Sequence, residues 1–511
     1  MLGIELQRSG GAALSRQIYR TLCEQISSGR IAAGDTLPST RELARDLAVS
    51  RNTVSEAYEM LSAEGYISSH QGSPTRVSAG IHMESPFVYQ TAPSGNDTIT
   101  DHIPPKDSLV FRRNNSGIEA DSGIYEDAGN DMDPDNRENP ENRENPRFPI
   151  VADFHTGQPD LRHFARFQWN QIMRKAMEDL PLSQFGYTGP DGFPDLRTEI
   201  SCWLFRSRGL AVTASDIFIT AGATSALHLI ADLLCQDGRG IIMEDPCHMG
   251  MLRVLKSKQY PVYPVPVDDH GFQTSLLEIN NASAVYVTPS HQFPLGSILP
   301  AARRTALIRY ARENDVYIIE DDYDSEFRYA GEPVAPLFSM DPNRVIYVGT
   351  FSKTLFPALR IGYVILPAPL QATWRYLRTH TDVQNPPFEQ AALAQFLHSR
   401  KMDRHIHKMR RLYGERRRQL FAALSQAFGS DWRPLGDAAG LHVAVEFPGK
   451  YFGKEFSRIC RENGILITPV EYHSIQKGIH TDKLLLGYGH LEPEEINLGI
   501  KLLKKVIDDL K

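Results

Sequence analysis

Ile319-Glu320-Asp321-Asp322-Tyr323-Asp324 and Gly349-Thr350-Phe351-Ser352-Lys353 are the stretches on which the fold turns. Each follows a short apolar run, Val316-Tyr317-Ile318-Ile319 and Val345-Ile346-Tyr347-Val348. Comparable runs occur at Ile217-Phe218-Ile219, Ile241-Ile242-Met243 and Ala284-Val285-Tyr286-Val287, each preceded by a segment long enough for a helix. Continuous apolar runs alternating with helical segments predict buried, mostly parallel strands in an α/β sheet, here from about residue 150 onward. Asp321 and Lys353 then fall just past the carboxyl ends of two strands, where open α/β sheets take their ligands. A lysine able to form an imine and an aspartate able to keep a pyridine nitrogen protonated are the two groups a pyridoxal-phosphate (PLP) site needs.

The neighbours strengthen that reading. Thr350 and Ser352 offer hydroxyls, and Arg360 offers a bidentate fork for a phosphate dianion. Gly222-Ala223-Thr224 follows a strand and opens a helix, so the amides of Ala223 and Thr224 are placed to bind an anion. Tyr323, two residues past Asp321, is within reach of a ring hydroxyl. A lone lysine after a strand is ordinarily a solvated surface residue; it is the combination that points to a cofactor.

At 511 residues, with 41% hydrophobic and 23% charged residues, the chain is long enough for two or three cores. No apolar run approaches the ~18 residues of a membrane-spanning helix, and Met1-Leu2-Gly3-Ile4-Glu5-Leu6 does not read as a secretory signal. The five cysteines, Cys23, Cys202, Cys235, Cys247 and Cys460, are scattered and without CxxC spacing. Neither a disulfide framework nor a zinc site is expected, and a reducing cytoplasm fits best. Cys247 reads as inert filler.

The first 78 residues read as a winged helix-turn-helix. Leu14, Ile18, Leu22 and Ile26 make one helical stripe; Gly29 to Pro38 breaks it; Ser39-Thr40-Arg41-Glu42 is a capping box that starts a second helix. Ser50 caps a third helix bearing Val54, Ala57, Tyr58 and Leu61. Gly65-Tyr66-Ile67 ends it, and Gln71-Gly72-Ser73-Pro74-Thr75-Arg76-Val77 predicts the tip and return strand of a wing. Arg41, Arg51, Asn52 and Thr53 lie where such a motif presents side chains to the major groove of double-stranded DNA and its phosphates, and Arg76 in the wing is a further candidate. Solvated helix caps are the plainer alternative for these residues.

A net charge of −7 at first argues against DNA. Residues 1–78, however, carry eight arginines against eight acidic residues, and residues 79–149 carry six basic against fourteen acidic. The acidity therefore belongs to the middle segment and leaves a local basic face on the first domain possible. That segment is rich in Asn, Asp, Pro, Ser and Gly, with a near-repeat over 136–146, and reads as a disordered tether. About 70 flexible residues span roughly 45 Å root-mean-square, enough to cross to a partner subunit.

Three motifs, Ser290-His291-Gln292-Phe293-Pro294-Leu295-Gly296, the box Glu320 to Phe327 and Thr350-Phe351-Ser352-Lys353-Thr354-Leu355-Phe356-Pro357, resemble the MocR subfamily of GntR transcription regulators in order and spacing. The resemblance covers nearly the whole chain. It implies a winged helix-turn-helix (1–78), a linker (79–149) and a type I aminotransferase-like domain with a smaller C-terminal α/β subdomain (150–511). By the same resemblance Lys353 carries the internal aldimine, Asp321 pairs with the pyridinium nitrogen, Tyr323 contacts the ring oxygen, and Thr350, Ser352 and Arg360 form the phosphate cup. Tyr187 would reach the neighbouring subunit's phosphate in a homodimer, domain-swapped at the DNA-binding heads. His291 joins the cofactor-binding set, its other reading being a hydrogen bond to backbone.

Two positions depart from the pattern. His248, in Glu244-Asp245-Pro246-Cys247-His248, stands where the family usually has an aromatic ring over the pyridine. Aminotransferases also clamp the substrate α-carboxylate with a C-terminal arginine, and here no arginine follows Arg461; Leu484-Leu485-Leu486-Gly487-Tyr488 occupies that region. The expectation is a cytoplasmic regulator whose effector, PLP or an amine, acts at Lys353 to control vitamin B6 or amine metabolism genes. An active aminotransferase with an accessory DNA-binding domain is the rival reading, and a regulator that has lost PLP is the third.

Overall fold

In the computed structural model the described residues are 4, 6, 13–27, 30–63, 66–68, 74–78, 149–235, 237–279, 281–329, 335–436 and 438–510. The wing tip at Gln71–Ser73 and the acidic tether up to position 148 lie outside them.

The N-terminal head follows its sequence signals closely. Helix α1 (Leu14–Ser27) buries Ile18, Leu22 and Ile26. Helix α2 (Thr40–Asp46) starts at the expected capping box: Glu42 N donates to Ser39 Oγ at 3.2 Å and Ser39 N donates to Glu42 Oε2 at 3.2 Å. Helix α3 (Arg51–Ala63) is capped by Ser50 Oγ, which accepts from Thr53 N at 3.1 Å. Val54, Ala57, Tyr58 and Leu61 complete the small core, and Tyr58 donates to the Pro38 carbonyl at 2.7 Å. Strands β1 (Ile67–Ser68) and β2 (Arg76–Val77) pair antiparallel as the wing.

The large domain enters through β3 (Ala152–Asp153), α4 (Arg166–Asp179) and α5 (Pro194–Arg208). There follow β4 (Ile217–Thr220), α6 (Ala223–Leu234), β5 (Gly240–Asp245), α7 (Met249–Ser257), β6 (Val262–Asp268), β7 (Gly271–Phe272) and β8 (Ala282–Val287). Next come α8 (Ala301–Glu313), β9 (Tyr317–Asp322), β10 (Val345–Thr350), β11 (Gly362–Ile365), α9 (Ala368–Thr381), α10 (Pro387–His398) and α11 (Lys401–Phe428). Eight strands form one sheet in the order β4-β11-β10-β9-β8-β5-β6-β7. The five from β10 to β6 run parallel, with β11 and β7 turned against their neighbours and β4 antiparallel to β11. Every residue of β4, β5, β8, β10 and β11 is buried. Burial on both faces explains why these strands read as unbroken apolar runs instead of alternating ones.

The C-terminal subdomain is α/β as well. Strands β12 (Arg433–Leu435), β13 (His442–Glu446), α12 (Phe456–Glu462), β14 (Ile465–Leu466), β15 (Thr468–Pro469), β16 (Lys483–Gly487) and α13 (Pro493–Asp509) follow in sequence. They build an antiparallel sheet β12-β13-β16-β15 backed by α11 and α13, while β14 pairs with β3. The head rests on the large domain through α1: Arg16 donates to the carbonyls of Arg206 (2.6 Å) and Ser207 (3.1 Å).

Candidate cofactor site and nucleic-acid face

Strand register assembles the site. Val348 lies opposite Asp321, Thr350 opposite Gly362, and Gly362 opposite Thr220. The carboxyl ends of β9 and β10 and the turn after β4 therefore sit side by side. Lys353 leaves the end of β10, half-buried, and its Nζ donates to the Gly157 carbonyl at 2.7 Å. Gly157 has φ +75°, and a Cβ there would stand 2.5 Å from Nζ, so the lysine's place depends on a glycine.

A second glycine shapes the phosphate side. Gly222 (φ +85°) precedes the first turn of α6, and a Cβ on it would approach Arg360 Nη2 to 2.7 Å. Arg360, itself left-handed at φ +50°, donates from Nη2 to the Ala221 carbonyl at 2.8 Å. Its guanidinium thus lies against the helix start where the Ala223 and Thr224 amides have no intrahelical partner. Thr350 Oγ1 accepts from Ser352 N at 3.2 Å and lies 3.1 Å from Ser352 Oγ. A cation, first-turn amides and two hydroxyls at one place make a site for a phosphate dianion.

The other end is built around Asp321. Its Oδ2 accepts from Tyr286 OH at 2.7 Å, whereas its buried Oδ1 has no hydrogen-bond partner. Burial pushes the Asp321 carboxyl up to about 6, against the Tyr286 hydrogen bond and the Lys353 charge and with help from the Asp322 charge. A buried acceptor without a donor costs about 1–3 kcal/mol. A protonated ring nitrogen would supply the missing donor, so the residues present fit PLP.

Tyr323 OH lies 2.9 Å from both His291 Nδ1 and the His291 carbonyl, and His291 Nδ1 lies 2.9 Å from Asp324 Oδ1. The arrangement closes if Nδ1–H donates to Asp324 and Tyr323 donates to the carbonyl. His291 is therefore bound to side chains, not only to backbone, and its Nε2 is buried without a partner. His248 begins α7 with its ring edge-on to Phe293 at 5.5 Å and its Nδ1 3.5 Å from Tyr286 OH. The rings of His442 and His473 also meet Phe293, at 5.2 and 4.9 Å. Burial, with neighbouring positive groups, lowers both imidazoles to about 3, so they are neutral at physiological pH. The Cys247 thiol is fully buried and pushed well up by that burial, in keeping with an inert role.

Tyr187 is set apart from this cluster, 90% exposed beyond the 182–185 turn. Four contributors were given no role by the sequence reading: Tyr286, Asp324, Glu244 and Arg208. Glu244, raised to about 7 by burial, accepts from Thr288 Oγ1 at 2.7 Å and holds the 288–292 turn. Arg208 pairs with Asp322 at 3.2 Å and Glu326 at 3.0 Å directly beneath the Asp321 box. A buried tyrosine on a neighbouring strand was the one legible hint, since its hydroxyl must find a partner.

On the head, Arg41, Arg51 and Asn52 are exposed at the starts of α2 and α3. Arg51 Nε reaches Thr40 Oγ1 at 3.3 Å. Thr53 is half-buried and shares the Ser50 cap, their hydroxyls 2.8 Å apart, and Arg76 donates to the Gly34 carbonyl at 2.9 Å. Among the described residues no helix is long and apolar enough to cross a membrane.

Comparison with known proteins places both halves. Residues 150–483 match the family described as aminotransferase class I and II, and residues 14–77 match bacterial regulatory proteins of the gntR family. The chain is 31% identical over 505 residues to the probable rhizopine catabolism regulatory protein MocR of Rhizobium meliloti, covering 98% of this chain and 94% of that protein. It is 31% identical over 447 residues to the pyridoxine biosynthesis transcriptional regulator PdxR of Corynebacterium glutamicum, covering 87% and 85%. Among solved structures, the kynurenine aminotransferase of Pyrococcus horikoshii is similar with a TM-score of 0.65 and 26% identity over 71% of this chain and 92% of that one.

Proposed function

The chain belongs to the MocR subfamily of GntR-type transcription regulators, and from that premise we propose that its aminotransferase-like domain is a sensor that binds PLP at Lys353 and directs the head on an operator. The observation that carries this reading is the pairing of Lys353, held by Gly157, with Asp321 Oδ1, buried and lacking a donor. PLP, when bound, supplies an aldehyde that condenses with amines. Asp321 keeps the ring nitrogen protonated, Tyr323 orients toward the ring oxygen, and Arg360 with Thr350, Ser352 and the amides of Ala223 and Thr224 holds the phosphate. His248 and His291 complete the walls.

The effector is PLP itself or an amine. Leu485, fully buried, packs with Phe293, Val470 and Tyr323, so an apolar side chain occupies the region where an enzyme's arginine would hold an α-carboxylate. This favours an effector other than a simple α-amino acid. Two relatives carry names referring to pyridoxine biosynthesis and to rhizopine catabolism; genes of vitamin B6 or amine metabolism are the targets we propose. Leu182 and Phe185 are exposed beside Tyr187. That surface suits a homodimer in which Tyr187 reaches the other subunit's phosphate. Arg41, Arg51, Asn52, Thr53 and Arg76 form the DNA-reading face.

The test is turnover. Holo-protein incubated with an amino donor and a keto acid should give at most a single half-reaction by absorbance; repeated cycles at ordinary enzyme rates would instead establish an aminotransferase with an accessory head. Absence of any visible band, with indifference to Lys353→Ala, would establish the third reading, a regulator without PLP.

A further inference from the structure

The last turn of α5 faces two ways. Helix α5 ends at Gly209 in a left-handed cap, φ +71°. Carbonyls in a helix's final turn need partners from outside it, and here the Arg16 fork supplies them to Arg206 and Ser207. The next side chain, Arg208, turns inward and is 5% exposed. It bonds Asp322, Ser325 and Glu326, and Asp322 stands between Asp321 and Tyr323 in the chain. Tyr347 OH donates to the same Asp322 carboxylate at 2.5 Å, so that carboxylate has little freedom to move independently.

A second contact has the same construction. Ala301, the first residue of α8, is fully buried within the head's apolar cluster. Three residues on, Arg304 is 1% exposed and donates to the carbonyls of Leu299 at 2.7 Å and Pro289 at 3.2 Å. Those two carbonyls flank the loop that carries His291 and Phe293. Both of these contacts between the head and the large domain are thus backed by a buried arginine tied to a loop of the cofactor pocket. Losing a partner of such an arginine strands a buried charge, which is strongly unfavourable. A rearrangement of the 321–326 box or the 289–299 loop is for that reason passed to the helix ends, not absorbed between them.

We propose that the last turn of α5 and the first turn of α8 are the seat of the DNA-binding head, and that Arg208 and Arg304 couple its seating to occupancy of the pocket. The occupant is α1 of the chain's own head. Seating engages α1 and leaves Arg41 and Arg51 exposed at the starts of α2 and α3. What the seat sets is therefore the direction in which the reading helices point, the quantity that must match half-site spacing on a two-site operator. A ligand in the pocket shifts this only by binding one arrangement better than the other.

This inference rests on the PLP reading, and linkage separates the two. With PLP binding the seated arrangement better, reciprocal coupling makes loosening the seat, where Arg16 bonds the Arg206 and Ser207 carbonyls, weaken PLP binding. PLP affinity is measured by absorbance titration of stripped full-length protein, wild type against Arg16→Ala and Ala301→Arg. Random-sequence DNA binding serves as the check that the head is folded. The expected result is a loss of about fivefold or more in both variants. Faster hydrogen exchange at 206–210 in Arg16→Ala, and in wild type on removal of PLP, is expected alongside it. A wild type that takes up no PLP overturns the cofactor reading itself. A wild type that binds PLP while both variants, heads folded, titrate identically to it overturns the coupling alone.

Discussion

Replacing Tyr286 by Phe removes one hydroxyl, and with it the hydrogen bond that Asp321 Oδ2 accepts at 2.7 Å. Hydrogen bonds to a charged group are worth about 1.5–3 kcal/mol when buried, which corresponds to roughly 1–2 pH units on the carboxyl. Asp321 stands at about 6 in the native protein; without Tyr286 it should titrate near 7 to 8. At pH 7 its ionised fraction then falls from about nine-tenths to between about one-half and one-tenth. Only the ionised carboxylate can hold a protonated ring nitrogen, and apparent affinity scales with the competent fraction. Tyr286→Phe should therefore bind PLP about 2- to 10-fold more weakly than wild type at pH 7. At pH 9 both carboxylates are ionised, and the two proteins should bind alike. Absorbance titration of both stripped proteins across this range gives the ratio directly, with pH effects on Lys353 cancelling between them. A ratio that stays constant from pH 7 to 9, or no deficit at pH 7, would refute the assignment of Tyr286 as the group that keeps Asp321 charged.

Lys353→Ala should still bind PLP, since the phosphate cup and Asp321 remain, but borohydride treatment should add no cofactor mass to the protein. Arg360→Ala removes charge-assisted bonds worth about 1.5 kcal/mol or more, so PLP affinity should fall at least about tenfold. Gly222→Ala should do the same by displacing that guanidinium. On the head, Arg51→Ala should cost about 1–3 kcal/mol on the specific operator if Arg51 reads a base; an equal loss on random DNA would make it a phosphate contact. His442 and His473 are held near 3 when folded and titrate near 6.5 when unfolded. The unfolded state takes up more protons between these values, so their stabilisation is complete above about 6.5 and lost as pH falls. From pH 7 to 5 the urea midpoint of wild type should fall relative to that of His473→Leu, which lacks one of these two groups. Asp321, whose value is raised, contributes in the opposite sense, losing stability as pH rises through about 6.

Some of this site could be read from the chain because local rules dictate it. A lysine after one buried strand and an aspartate at the end of another, a glycine before a helix, and a capping box at Ser39 each declare their geometry within a few residues. Tyr286 could not be read this way. It lies inside Ala284-Val285-Tyr286-Val287, a strand like any other, and its partner is fixed by β8–β9 register, in which Tyr286 lies opposite Ile319. Register between strands joined by a helix is a property of packing, invisible to periodicity. Arg208 was hidden for a similar reason: at the end of an amphipathic helix an arginine ordinarily faces water, and only the folded chain turns it under Asp322. His291 fell between the two cases. The motif that carries it was evident, whereas the carboxylate it bonds, Asp324, belongs to another strand's loop.

The absent arginine takes on a different meaning once the β16 strand is seen in place. Leu484 and Leu486 face the core of the C-terminal subdomain, and Leu485, on the alternate face, joins Phe293 and Val470. The strand thus presents an aliphatic side chain, Leu485, on the face that meets Phe293. Around it stand His442 and His473, both neutral, so neither Leu485 nor these two imidazoles offers a fixed positive charge. A carboxylate brought to it would lose water and gain no ion pair, a penalty of several kcal/mol that imine formation at Lys353 would have to offset. An amine without a carboxylate at that position, or PLP alone, meets no such penalty. Selectivity of this kind is achieved by rejecting the common competitor as much as by attracting the right ligand, and under the proposed sensor role that rejection would keep simple α-amino acids from acting as effectors.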